Sequence, residues 1–220
     1  MGIKWLFFDL GGTIYDESLS DKQRIDNLIE KADLGITYND FYVQMQKAAA
    51  HYAPSPFTTA RNSIGISVNE PYSNEREFLY PNALNVIDVL SKSYQLGIIA
   101  NQPPNTLERL KKDGLYDLFE ICLLSECENL FKPDECFFTR ALEEANCLPS
   151  EAVMIGDRLD NDIFPAKRVG MRTVRIVQGL YSVQKPLNES YVADYQINEL
   201  NDLIRAYLKR KSCTKSPQMV

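Results

Sequence analysis

The sequence predicts an α/β protein: a parallel sheet covered by helices on both faces, with a small helical domain inserted after the first strand. Two observations carry this reading. Short apolar runs alternate with segments of helical period, which implies a parallel sheet buried on both sides. One interval of about sixty residues breaks the alternation and holds amphipathic helices instead of strands.

The first strand is Lys4–Asp9, an apolar run Trp5-Leu6-Phe7-Phe8 that ends on a carboxylate and runs into Leu10-Gly11-Gly12-Thr13. A strand fixes a side chain, and a glycine turn lets the backbone approach an anion. Between Asp16 and about Leu79 no central strand is expected. Ser20-Asp21-Lys22-Gln23 reads as a capping box opening a helix with Ile25, Leu28, Ile29 and Ala32 on its apolar face. Thr37-Tyr38-Asn39-Asp40 opens a second, with Phe41, Met45, Ala48, Ala49 and Tyr52 on one side. Pro54, Pro56, Pro71 and Pro81 punctuate a less regular stretch. An insertion at this point sits beside the carboxyl ends of the strands, where open α/β sheets bind ligands, and reads as a lid.

Strands follow at Leu96–Ala100, Phe119–Leu124, Ala152–Gly156 and Arg172–Val177, with a shorter sixth at Asp194–Ile197. The helix after Lys132 is marked by Phe138, Ala141, Leu142 and Ala145 at i, i+3, i+4 and i+7. The expected organisation is a core of residues 1–15 and 80–210, a helical cap of 16–79, and a disordered tail, 211–220. The basic residues Lys209, Arg210, Lys211 and Lys215 read as part of a solvated terminus.

At 220 residues the chain can bury one substantial core. Its net charge of −6 argues against a nucleic-acid partner held by phosphate neutralisation. No run approaches the roughly 20 apolar residues needed to span a bilayer, so no membrane partner is expected. The opening apolar run is too soon interrupted by Asp9 to be a signal peptide. Cysteines 122, 127, 136, 147 and 213 are odd in number and lack C-x-x-C spacing, which reads as reduced thiols in a cytoplasmic protein. A thiolate catalyst is disfavoured because the single histidine, His51, lies far off in a helical segment.

Polar residues fall at the ends of successive strands: Asp9, Asn101, Lys132 after a short loop, and Asp157 followed by Asp160 and Asp162. Singly, each reads as a helix cap, a turn former or a surface charge. Together they supply carboxylates, a cation and an amide to one edge of one sheet. The chemistry that needs such a set is phosphoryl transfer through a carboxylate. Asp9 would attack phosphorus and form an aspartyl-phosphate. Asp9 and Asp157 would ligate a Mg²⁺ ion. Lys132 would neutralise the carboxylate and the phosphoryl group, and Thr13 and Asn101 would hold its oxygens. Asp162 would orient the metal shell or Lys132.

The segments Phe7-Phe8-Asp9-Leu10-Gly11-Gly12-Thr13, Ile98-Ile99-Ala100-Asn101, Lys132-Pro133-Asp134 and Gly156-Asp157-x4-Asp162 resemble the four ordered motifs of the haloacid dehalogenase-like hydrolase superfamily. The resemblance runs from about residue 3 to residue 205. It implies a Rossmann-like three-layer sandwich with a helical cap, and a Mg²⁺-dependent phosphatase of small phosphorylated metabolites. It also implies that the Gly11 carbonyl is a metal ligand and that position 100, here alanine, faces the phosphate.

One departure matters for rate. The family's phosphatases read D-x-D-G-T, and the second aspartate protonates the leaving group; this chain has Gly11 there. A positioned acid–base group contributes about 10²–10⁴-fold, so slow turnover is expected. Tyr15, Asp16 and Glu17 are the local candidates for a substitute, and each otherwise reads as a solvated hinge residue. Two alternatives share the fold. One is a catalytically weak binding or regulatory protein, and the other is a metal-independent 2-haloacid dehalogenase. In the cap, His51, Tyr52, Arg61 and Tyr72 are the polar residues considered for substrate contact.

Overall fold

A computed structural model describes residues 2–33 and 35–207. The chain opens with β1 (Trp5–Phe8) and a two-residue strand β2 (Tyr15–Asp16). The helices α1 (Ser18–Ala32), α2 (Tyr38–Ala50) and α3 (Pro56–Ile64) follow. Strand β3 (Phe78–Leu79) then pairs antiparallel with β2, Tyr15 opposite Leu79. This ribbon joins the inserted helices to the rest of the chain at both their ends.

The remainder alternates. Helix α4 (Ala83–Ser91) leads to β4 (Gln95–Ala100), α5 (Thr106–Lys112), β5 (Ile121–Leu124), the short α6 (Ser125–Glu128) and α7 (Glu135–Glu144). Strand β6 (Ala152–Gly156), α8 (Phe164–Arg168), β7 (Arg172–Ile176), β8 (Tyr195–Ile197) and α9 (Asn201–Tyr207) complete it. Six strands form one sheet in the order β5-β4-β1-β6-β7-β8, every pairing parallel. All six expected strands are present.

Both faces of the sheet are buried, and the strand period of two divides the core accordingly. Leu6, Phe8, Ile98 and Ile155 face one apolar cluster with Val86 and Leu90 of α4 and Leu203 of α9. Trp5, Phe7, Ile99 and Met154 face the other, with Phe137, Phe138 and Ala141 of α7. The inserted helices hold a third cluster of their own: Ile25 and Leu28 from α1, Phe41 and Met45 from α2, Phe57 and Ala60 from α3.

The cap differs from the sequence expectation at three places. Helix α1 starts at Ser18 with Glu17 at its N-cap, so Ser20 caps nothing; it is buried and its hydroxyl has no partner among the described residues. The proline-punctuated stretch contains α3, because Pro56 stands in the first turn, where a missing N–H costs nothing, and Ser55 caps Thr58. Strands β2 and β3 are too short to leave a period-two signal. The second helix opens at Thr37 as expected, and Thr37 and Asp40 form a capping box with both reciprocal bonds made.

The basic tail and Cys213 lie outside the described residues. The other four cysteines are free, with Cys127 and Cys136 exposed. No helix among the described residues is long and apolar enough to cross a membrane.

Candidate active site

The parallel register brings the site together. Phe8 lies opposite Ile98 of β4 and Ile155 of β6. The Asp9 N–H donates to the Ile155 carbonyl at 2.9 Å, extending the ladder by one step. Asp9 therefore stands beside Gly156, and the next residue on that side is Asp157. These are the carboxyl ends of the two central strands.

Lys132 arrives from the loop between α6 and α7. Its backbone is held by Asn101, at the end of β4: Asn101 Nδ2 donates to the Lys132 carbonyl at 2.9 Å, and the Lys132 N–H donates to Asn101 Oδ1 at 2.8 Å. So anchored, Lys132 Nζ donates to Asp9 Oδ1 at 2.7 Å and to Asp162 Oδ1 at 2.6 Å. All three side chains are buried. Asp162 sits in the wide helical turn Leu159–Ile163, and its second oxygen accepts from the Arg158 N–H at 3.0 Å.

Two glycines make this approach sterically feasible. A β-carbon on Gly156 would lie 2.4 Å from the Asp162 carboxyl carbon. One on Gly12, whose φ is +66°, would lie 2.3 Å from Asp157 Oδ2.

Carboxylate oxygens of Asp9, Asp157 and Asp162 all lie within 4.8 Å of one another. Two of these acids, Asp9 and Asp162, share one ammonium group, and Asp157 stands beside them without a cation of its own. Burial would lower the Lys132 pKa, but the Asp162 and Asp9 charges outweigh it and hold the ammonium protonated well into the basic range. Burial pushes Asp157 well above the usual carboxylate range, with the charges of Asp162 and Asp9 adding to it. Burial raises Asp162 to about 6, with Lys132 pulling the other way.

Asp157 is 2% exposed, and its carboxylate makes no hydrogen bond or ion pair among the described residues. An unpartnered buried carboxylate is costly. A divalent cation among these oxygens removes that cost, and hard oxygen donors of this number suit Mg²⁺. The donor set fits the ion. The Gly11 carbonyl also accepts no hydrogen bond among the described residues, whereas those of Gly12 and Thr13 accept from Gln178.

A small cavity of about 130 Å³ lies over these groups, lined by Asp9, Gly11, Glu17, Asn101, Lys132, Asp157, Arg158 and Tyr181. It adjoins a cleft of about 560 Å³ between the inserted helices and the sheet, bordered by Asp21, Arg24, Phe57 and Tyr72 on the cap side.

A haloacid dehalogenase-like hydrolase family model matches residues 3–170. The chain belongs to this hydrolase family. Among its relatives, the glyceraldehyde 3-phosphate phosphatase of Pyrococcus furiosus is 30% identical over 97% of this chain and 96% of its own length. The enzyme of the same name from Methanocaldococcus jannaschii is 27% identical over 92% and 96%. The crystal structure of a HAD phosphatase from Thermococcus onnurineus covers 93% of this chain and 97% of its own, at 27% identity and a TM-score of 0.63. A magnesium-bound HAD-hydrolase of Bacillus subtilis shares the fold, with a TM-score of 0.70 at 20% identity and coverage of 94% and 99%.

Within this HAD-like chain, Asp9, Lys132, Asp157 and Asp162 converge as the motif spacing suggested. Three other positions depart from their expected place. Thr13 is fully buried and absent from the cavity lining, and its hydroxyl has no partner among the described residues. Ala100 is fully buried in the core. Asn101 is exposed to the cavity, but each of its polar atoms is engaged by the Lys132 backbone, which makes it a positioning residue.

The cap candidates divide. Tyr72 borders the cleft, whereas Tyr52 donates to the Lys185 carbonyl and Arg61 binds Asn69 and Asn62. His51 contacts the Lys47 carbonyl of its own helix.

Sequence reasoning missed the clamp on the far side of the cavity. Arg158 pairs with Asp160, donates to the Tyr181 hydroxyl at 3.0 Å and lies over its ring. Arg175 of β7 donates to the carbonyls of Asp157, Gln184 and Tyr181. Arg158 stood inside the fourth motif and was visible as a cation among acids. Tyr181 lies in a loop, with no periodicity to announce it.

Proposed function

We propose that this HAD-like hydrolase is a Mg²⁺-dependent phosphatase of small phosphorylated metabolites, working through an aspartyl-phosphate on Asp9. The observation that carries the reading is the placement of Lys132 Nζ between Asp9 and Asp162, with the unpartnered Asp157 carboxylate alongside. A nucleophilic carboxylate facing a phosphate dianion needs neighbouring positive charge, and this arrangement supplies one fixed cation and the ligands for another.

Asp9 attacks phosphorus with its cavity-facing carboxylate as the ester P–O bond breaks and the leaving oxygen departs with its electron pair to become the product alcohol, while Lys132 holds the carboxylate in place and faces the phosphoryl oxygens. Asp157, Asp9 and the Gly11 carbonyl would hold the ion, and Asp162 fixes Lys132 from behind. When bound, Mg²⁺ supplies the charge that lets the substrate phosphate come close to two carboxylates. Water then attacks the aspartyl-phosphate, the bond between phosphorus and the Asp9 oxygen breaks, and inorganic phosphate leaves. The cleft under the cap takes the rest of the substrate. Its modest size and the names of the relatives favour small phosphorylated sugars, with glyceraldehyde 3-phosphate the first to try.

The carboxylate triad weighs against a metal-independent 2-haloacid dehalogenase, whose nucleophile has no need of an unpaired buried acid beside it. A non-catalytic binding role is opposed by the lysine clamped onto the nucleophile. The deciding experiment is phosphate release from a panel of phosphate esters with Mg²⁺ or with a chelator, using Asp9→Asn as control. Metal-dependent release by wild type alone is expected. Equal release by wild type and Asp9→Asn overturns the reading.

A further inference from the structure

Position 11, where the family's phosphatases carry the acid–base aspartate, is glycine here, yet the space beside it is filled. A β-carbon on Gly11 would lie 2.3 Å from Glu17 Oε1 and 2.8 Å from the Glu17 carboxyl carbon. The volume that a side chain at position 11 would enter thus holds the carboxyl group of Glu17. We propose that Glu17 is the acid–base residue of this enzyme, supplied from the start of the cap instead of the glycine turn.

Four further observations carry it, and the inference rests on the phosphatase reading above. Glu17 lines the same small cavity as Asp9, Lys132 and Asp157. It occupies the N-cap of α1, and its side chain makes no capping bond to the helix. Its carboxyl group has no hydrogen bond and no ion pair among the described residues. The neighbours that sequence offered as substitutes are both committed: the Tyr15 hydroxyl donates to Asp113 Oδ2 at 2.8 Å, and Asp16 accepts from the Ser18 N–H at 2.8 Å.

The two half-reactions balance on this residue. As an Asp9 oxygen bonds to phosphorus, the ester P–O bond breaks, its electron pair stays on the leaving oxygen, and Glu17 passes its proton there to release an alcohol. In the second half the Glu17 carboxylate takes a proton from water as the water oxygen bonds to phosphorus. The bond to Asp9 breaks, inorganic phosphate departs, and Glu17 is again protonated.

The test compares two leaving groups in the full-length protein with Mg²⁺. An alkyl phosphate needs a proton on its leaving oxygen, whereas p-nitrophenolate departs without one. In Glu17→Gln, turnover of the alkyl ester is expected to fall by about 10²–10⁴-fold. With p-nitrophenyl phosphate the variant should give a burst stoichiometric with enzyme and then stall. Mass spectrometry of the stalled protein should find one phosphoryl group on the peptide containing Asp9.

Glu17→Ala combined with Gly11→Asp, which restores a carboxylate from the other side of the same space, should recover alkyl-ester turnover. Wild-type rates in Glu17→Gln, or a loss of burst equal to the loss of turnover, would overturn the assignment while leaving Asp9 as nucleophile. Absence of Asp9-dependent phosphate release in wild type overturns both, and only that result touches the phosphatase reading.

Discussion

The side-chain amide of Asn101 closes a ring with the backbone of Lys132, accepting from its N–H at 2.8 Å and donating to its carbonyl at 2.9 Å. The end of β4 thereby sets where the ammonium group stands. Two hydrogen bonds at about 0.5–1.5 kcal/mol each contribute roughly 1–3 kcal/mol. Asn101→Ala should lower Tm by roughly 2–12 °C on that basis. It should also lower kcat, by up to about 10²-fold, because a displacement near 1 Å at a reacting centre costs that much. A variant with unchanged Tm and kcat would show that the loop positions Lys132 unaided.

Lys132→Met removes the cation that Asp9 and Asp162 share. Breaking a buried ion pair from one side costs about 3–5 kcal/mol, because the partners stay buried and unpaired. The variant should melt well below wild type in a chelator. Mg²⁺ should then raise its Tm more than it raises that of wild type, since the ion becomes the sole positive charge among three acids. Melting curves with and without Mg²⁺ test this, and an equal Mg²⁺ shift in both proteins contradicts it.

Gly12→Ala separates the metal site from the nucleophile. Position 12 has a φ of +66°, which costs a non-glycine residue about 1–2 kcal/mol, and the new methyl group would collide with Asp157 Oδ2. Asp157 must move, and Mg²⁺ affinity should fall while Lys132 keeps its bond to Asp9. Titration calorimetry with Mg²⁺ measures it. Wild-type affinity in the variant would mean that Asp157 is not a ligand.

Most of this site was legible because strand ends are legible. Asp9 and Asp157 close apolar runs that admit one reading, and parallel neighbours deliver their ends to the same edge. Lys132 needed its motif, since a loop lysine carries no periodicity. What stayed hidden depends on three-dimensional approach. Thr13 followed a glycine turn and was expected to hold phosphoryl oxygens, but the turn buries it. Glu17 looked like a hinge residue because nothing local reveals that an acid six residues on returns to the space beside Gly11. Helix α3 was obscured by the run of prolines, because the first-turn position of Pro56 is visible only once Ser55 is seen to cap the helix.

The pH dependence of stability reports on the same acids. Burial raises Asp162 from 3.8 to about 6, against the pull of Lys132, and raises Asp157 through burial and the charges of Asp162 and Asp9. A carboxyl group raised in the folded state holds a proton there that the unfolded chain releases. Its contribution to stability is complete below about pH 4 and is lost as pH rises through about 6. The chelated protein should therefore lose the Asp162 contribution between about pH 4 and pH 6, with the raised Asp157 adding to the loss as pH rises further, and Asp162→Asn should flatten the first part of that slope. Mg²⁺ binds the deprotonated acids, so protons compete with it. The rise in Tm caused by Mg²⁺ should accordingly be larger at pH 7 than at pH 5. Melting curves at the two values, each with Mg²⁺ and with chelator, give the comparison directly. An equal Mg²⁺ effect at both would mean that the ion does not bind among Asp9, Asp157 and Asp162.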